Sequence, residues 1–176
     1  MFNIQTILTY AVIYSALLIS LILHENAHGL AALYMGDTTA KDSGRLSLNP
    51  LKHLSPLGTL SLLIFHFGWA KPVPINPYNF RKRELRDFLV SISGILTNFL
   101  LAFLFLIVFD FVILKVDANP YFILFVKSMV QYNVLLGVFN LIPLPPLDGS
   151  KIIMTFLPDK VTYKLLSVET VSYTHL

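Results

Sequence analysis

Between Ile4 and Leu23 the chain carries no charged or histidine side chain, and a run of about 20 residues is what a helix needs to cross a bilayer. Lipid offers no partner for backbone N–H and C=O groups, so such a run must satisfy them internally, as a helix. Two further stretches, Phe88 to Leu114 and Phe122 to Ile142, are also long and apolar, each with a single charged residue, Asp110 and Lys127. Only 13% of the residues are charged, 55% are hydrophobic and the mean hydropathy is +0.69, far from the balance of a water-soluble domain. These features predict an all-α integral membrane protein, a polytopic bundle of about three transmembrane helices forming one domain over residues 1–170. Met1 to Leu23 contains no Lys or Arg, so the first run reads as an uncleaved membrane helix rather than a signal peptide. The net charge of +3 forms no basic stripe with interleaved aromatics, which argues against a nucleic-acid partner.

The first run ends on His24-Glu25-Asn26-Ala27-His28. Two histidines four apart lie on one helix face and can share one Zn²⁺, and the glutamate between them can move the proton of the attacking water. Three ionisable groups at one place in a membrane segment are expensive and default to a functional role. The chain has no cysteine, so a metal here must be held by His, Asp, Glu or backbone oxygen.

A catalytic zinc takes three protein ligands and leaves a position for water. Asp148 is the candidate for the third. It follows Pro143, Pro145 and Pro146, which end helical geometry and hold extended backbone at membrane depth, where it must be buried in protein or line a wet cavity. On spacing alone Asp148-Gly149 reads equally well as an ordinary turn after a helix.

Between the long helices, the polar stretch Gly36 to His53 alternates around Arg45-Leu46-Ser47-Leu48 and predicts short strands or a hairpin. Ser55 to Phe67 is apolar but too short to span and reads as a re-entrant or half-buried helix. Gly68 to Pro77, with three prolines, predicts an extended loop. Asn79 to Asp87 is basic, and Ser150 to Leu157 fits a short amphipathic helix. The last residues, 171–176, fit no pattern and read as an unstructured, non-native tail.

Loops 36–55 and 70–87 hold eight lysines and arginines, whereas the 115–121 link holds Lys115 alone. Positive loops stay cytoplasmic, so both His24/His28 and Asp148 should lie near the cytoplasmic end of the bundle. Asn140 is a candidate donor to the oxyanion of a peptide-bond hydrolysis. Asn98 reads as an interhelical hydrogen bond, with Gly94 on the same face allowing close helix approach. His53 either contacts substrate near the site or is a solvated loop histidine. His66 reads as interfacial, and Asp110 should surface at the far interface.

The chain resembles the site-2 proteases, intramembrane zinc metalloproteases. The matching elements are His24 to Gly29, Gly44-Arg45-Leu46-Ser47-Leu48-Asn49-Pro50 with His53 and Pro56, Gly68 to Pro74, Gly94 with Asn98, and Asn140 to Gly149, in family order across about residues 10 to 157. The resemblance implies that Asp148 is the third zinc ligand beside His24 and His28, with Glu25 as the catalytic acid–base. It implies a single-pass membrane protein as substrate and a bacterial cell membrane as location; because a helix hides its carbonyls in hydrogen bonds, that substrate should be presented in extended form. Two positions depart from the family pattern: Ile95 follows Gly94 where proline is frequent, and Ser55 stands where an acidic residue is frequent. No PDZ insertion fits. The competing reading is a non-catalytic membrane metal-binding or transport protein, or a pseudoprotease scaffold, which would keep the three ligands but not need Glu25.

Overall fold

The computed structural model describes residues 3–65, 71–76, 79, 83–111, 117–158 and 161. Helix α1 spans Ile4–Tyr34, α2 Thr39–Asp42, α3 Pro56–Phe65, α4 Arg83–Phe111, α5 Pro120–Leu141 and α6 Asp148–Met154, with a 3₁₀ turn at Pro50–Lys52. Three of the described helices, α1, α4 and α5, are long and apolar enough to cross a membrane. Asn3 starts α1, its side chain accepting from the Gln5 amide, and Asn119 starts α5 in the same way, followed by Pro120 in the first turn, the placement in which a missing N–H costs nothing.

Helices α1, α4 and α5 pack against one another, and α6 packs on α4 and α5. The bundle is apolar outside and small or polar inside. Leu100, Phe103, Leu135 and Val138 project outward from α4 and α5, exposed by 53–60%. Ala16, Ser20, Ala32, Asn98, Val126 and Asn133 lie on the inside with no exposed surface. Lipid is as apolar as a leucine side chain, so helix association there rests on close packing of small residues and on interhelical hydrogen bonds.

The expected hairpin over 36–53 is absent. Among the described residues no strand forms, and Leu54 makes only an isolated bridge. The alternating pattern has another cause. Gly36 and Gly44 adopt positive φ (101° and 64°) and break the stretch into α2 and flanking turns. Leu46 sits over Gly29 of α1, where a Cβ would stand only 2.5 Å from the Leu46 Cδ2. Arg45 turns the other way and donates to the carbonyls of Lys71 (2.6 Å) and Pro72 (3.1 Å). The short apolar stretch does form a helix, α3, of 10 residues. Residues 71–76 form a loop with neither helix nor strand; the rest of Gly68 to Pro77 lies outside the described residues, as do His66, Lys115 and the 171–176 tail.

Residues 71–76 are tied down along their length. The Lys71 amide donates to the His53 carbonyl at 2.7 Å. Further along, the Asn76 amide and the Asn79 side chain donate to Asp37 at 2.7 and 2.6 Å. Asp37 is fully buried and also accepts from the Thr39 amide (3.1 Å) and hydroxyl (2.5 Å). Burial pushes its carboxyl up, but the Thr39, Asn76 and Asn79 donors outweigh this and hold it below the usual aspartate range. A folded-state pKa below the unfolded one means that the stabilisation is complete at neutral pH and fades as pH falls below about 4. Asp37→Asn puts an amide N–H against donors; it should cost about 2–4 kcal/mol at pH 7 and flatten the acid limb of stability. Detergent unfolding against pH, with limited proteolysis at 71–79, measures both.

Candidate metal centre

Helical periodicity brings His24 and His28 to one face of α1, and both are buried, 4% and 7% exposed. Their rings meet edge to face with centroids 4.6 Å apart, and their Nε2 atoms are 3.0 Å apart. The other ring nitrogens point at acceptors. His24 Nδ1 is 2.5 Å from Asn98 Oδ1, and His28 Nδ1 is 2.8 Å from the Val90 carbonyl, both on α4. A carbonyl can only accept, so each Nδ1 carries the proton and each Nε2 presents a lone pair.

Asp148 arrives from the far end of the chain. It is the first residue of α6, reached through the proline-rich link after α5. Gly149 makes the approach possible, since a Cβ there would overlap the Leu141 carbonyl at the end of α5. Asp148 Oδ2 lies 3.2 Å from His24 Nε2 and 3.0 Å from His28 Nε2, yet it is buried without a hydrogen-bond partner. Three electron-rich atoms face one another across about 3 Å, which is unfavourable unless a cation lies between them. Ligands about 2.0–2.1 Å from a tetrahedral zinc stand about 3.3 Å apart, close to this spacing. Among the described residues this is the one group of His, Asp or Glu side chains that could hold a metal ion.

The space above the imidazoles is closed by Gly94. A Cβ there would stand 2.6 Å from His24 Cε1 and from His28 Cε1 and Nε2. The glycine that sequence reading assigned to helix–helix approach therefore seats two rings as well. Glu25 is half-buried, and its Oε2 accepts from the Val73 amide at 2.9 Å, so the tied-down 71–76 segment crosses beside the motif. His53 is fully buried and places Nε2 2.6 Å from the Ser47 carbonyl; it braces the loop, and the solvated alternative does not hold. Asn140, on the last turn of α5, donates to Leu136 O of its own helix at 3.0 Å. Asp110 lies one residue before the end of α4. Sequence reading missed the Val90 carbonyl and the Val73 amide, because backbone groups carry no residue signature.

A family model described as peptidase family M50 matches residues 112–175. YwhC of Bacillus subtilis (strain 168), provisionally named a zinc metalloprotease, is 40% identical over 177 residues, covering 96% of this chain and 78% of that protein. The chain belongs to peptidase family M50. Family M50 is the site-2 protease family of the sequence resemblance, and its membership makes the chain a zinc metalloprotease, a hydrolase of peptide bonds. The zinc metalloprotease MJ0392 of Methanocaldococcus jannaschii is 29% identical over 154 residues, covering 88% of this chain and 37% of its own. Rip2 of Mycobacterium tuberculosis (strain H37Rv), provisionally named likewise, is 31% identical over 148 residues, covering 80% and 55%. The chain thus spans roughly half or less of the length of these two. No solved structure gives a significant match.

Gly94→Ala is a favourable helix substitution by about 1 kcal/mol, yet its methyl group must displace both imidazoles. Zinc affinity, measured by chelator competition, should fall at least about tenfold, while helix content by circular dichroism is retained.

Proposed function

We propose that this M50 chain cleaves a peptide bond within or next to the membrane-spanning segment of a single-pass membrane protein, working from the cytoplasmic side of a bacterial cell membrane. The observation that supports this most is the position of the three converging atoms. Two of them stand on α1, a helix with span-length apolar character, and all three are buried between α1, α4 and α6. A polar pocket of this kind within a membrane bundle serves chemistry that needs water where water is scarce.

His24, His28 and Asp148 are the proposed zinc ligands, and bound zinc would supply the Lewis acidity that activates water and polarises a peptide carbonyl. Glu25 is the proposed acid–base. The Val73 N–H fixes its Oε2, and its other oxygen is the one proposed to take a proton from water and hand it to the leaving amine. Asn140 is the proposed donor to the developing oxyanion; it would exchange its bond to Leu136 O for one to the reacting group. The substrate must enter extended, because a helix keeps its carbonyls in internal hydrogen bonds.

Glu25→Gln keeps the side-chain volume and the acceptor facing Val73 but cannot carry the proton. Co-expressed with a panel of tagged single-pass proteins, the variant should lose about 10²–10⁴-fold in turnover and keep stoichiometric zinc. Unchanged cleavage, or none in the wild type across the panel, would favour the scaffold or transport reading. The absence of native cysteine makes the orientation directly measurable. A cysteine introduced at Lys41 should react with an impermeant thiol reagent from the cytoplasmic side only, and one at Asp117 from the opposite side only.

A further inference from the structure

Three polar side chains in the bundle interior, Ser20 on α1, Asn98 on α4 and Asn133 on α5, have no exposed surface. Burying an amide in a membrane bundle costs free energy unless it is hydrogen-bonded, and here the side chains bond to one another and to backbone carbonyls. Asn133 Nδ2 donates to the Met129 carbonyl and to Ser20 Oγ, both at 2.8 Å. Asn98 Nδ2 donates to Asn133 Oδ1 at 2.8 Å, and Asn98 Oδ1 faces His24 Nδ1. Ser20 donates its own proton to the Ala16 carbonyl at 2.8 Å, so toward Asn133 it can only accept.

The direction of this chain is not a free choice. The Met129 carbonyl can only accept, so the Asn133 atom against it is the NH₂ group. The opposite end of that amide is therefore the oxygen, which requires the NH₂ of Asn98. The oxygen of Asn98 is then left for His24, whose Nδ1 must carry the hydrogen, and the lone pair falls on Nε2. His28 obtains the same tautomer in one step from the Val90 carbonyl. His24 obtains it through two amides.

We infer that Asn133 and Asn98 form a relay across the three long helices that sets the tautomer and ring orientation of His24. Asn133 is thus a positioning residue of the zinc site that acts on His24 only through Asn98. The inference rests on the reading that His24 is a zinc ligand. A residue that merely holds α5 to α4 would stabilise the bundle without determining which nitrogen of His24 carries the proton.

The test is zinc affinity of the full-length protein in detergent, by competition with a calibrated chelator. His24→Ala examines the underlying reading: if it leaves affinity unchanged, His24 is not a ligand and the site assignment fails. If His24→Ala weakens binding, the relay is tested separately. Asn98→Ala and Asn133→Leu should each weaken zinc by about 10–100-fold, and the double variant should be no weaker than Asn98→Ala alone, because Asn133 acts only through Asn98. Asn133→Asp, whose protonated carboxyl can donate to the Met129 carbonyl and still present its other oxygen to Asn98, should restore affinity to within a few fold of wild type. Additive losses, or equal loss with Asn133→Asp, would show a packing role and overturn the relay.

Discussion

The fold turns on an arrangement that is unfavourable by itself: two imidazole lone pairs and one carboxylate oxygen held about 3 Å apart in a place water does not reach freely. Such a cluster persists only if a cation neutralises it and the surrounding structure over-determines the position of each group. The helices provide that over-determination. Histidines four apart fix two vertices, the Val90 carbonyl and Asn98 aim the rings, Gly94 leaves room for them, and Gly149 allows α6 to start against the end of α5 and bring in the third vertex. Each of these features has an ordinary structural description, and together they define one cation-sized point.

The rest of the molecule follows from placing that point inside a bilayer. The outer faces of α4 and α5 carry leucine, phenylalanine and valine, and the interior carries serine, asparagine, alanine and glycine. This inversion of the soluble pattern suits a bundle whose solvent is hydrocarbon and whose centre must be polar enough for hydrolysis. The loop that crosses Glu25 extends the same logic beyond the helices. Asp37, Arg45 and His53 hold residues 71–76 by their backbone groups, so the amide that positions the glutamate sits on a braced segment rather than a loose one.

Much of this was legible in the sequence, and the reasons are physical. Long apolar runs have one solution in lipid, so the three helices were readable from the sequence, except that α1 runs on past Leu23 through the motif to Tyr34 and α4 extends back through Arg83. The HENAH motif needed only helical periodicity. Asp148 needed more: its spacing was compatible with a plain turn, and the resemblance to the site-2 proteases supplied the link that the geometry now supports. What the sequence concealed is of two kinds. Backbone partners, such as the Val90 carbonyl and the Val73 amide, have no side-chain signature. Residues with two explanations were given the more local one: Leu46 and Arg45 alternate because one covers Gly29 and the other binds carbonyls across a loop, and a period of two alone cannot distinguish that from a strand.

The central claim is that one zinc ion is held jointly by the α1 histidines and the distant carboxylate. Metal analysis of purified Asp148→Ala beside the wild type tests it most directly. The claim predicts one zinc per wild-type chain, an X-ray absorption spectrum with two imidazoles and oxygen ligands, and loss of the ion from a variant that keeps its helical spectrum. A variant that retains stoichiometric zinc with unchanged coordination would contradict it.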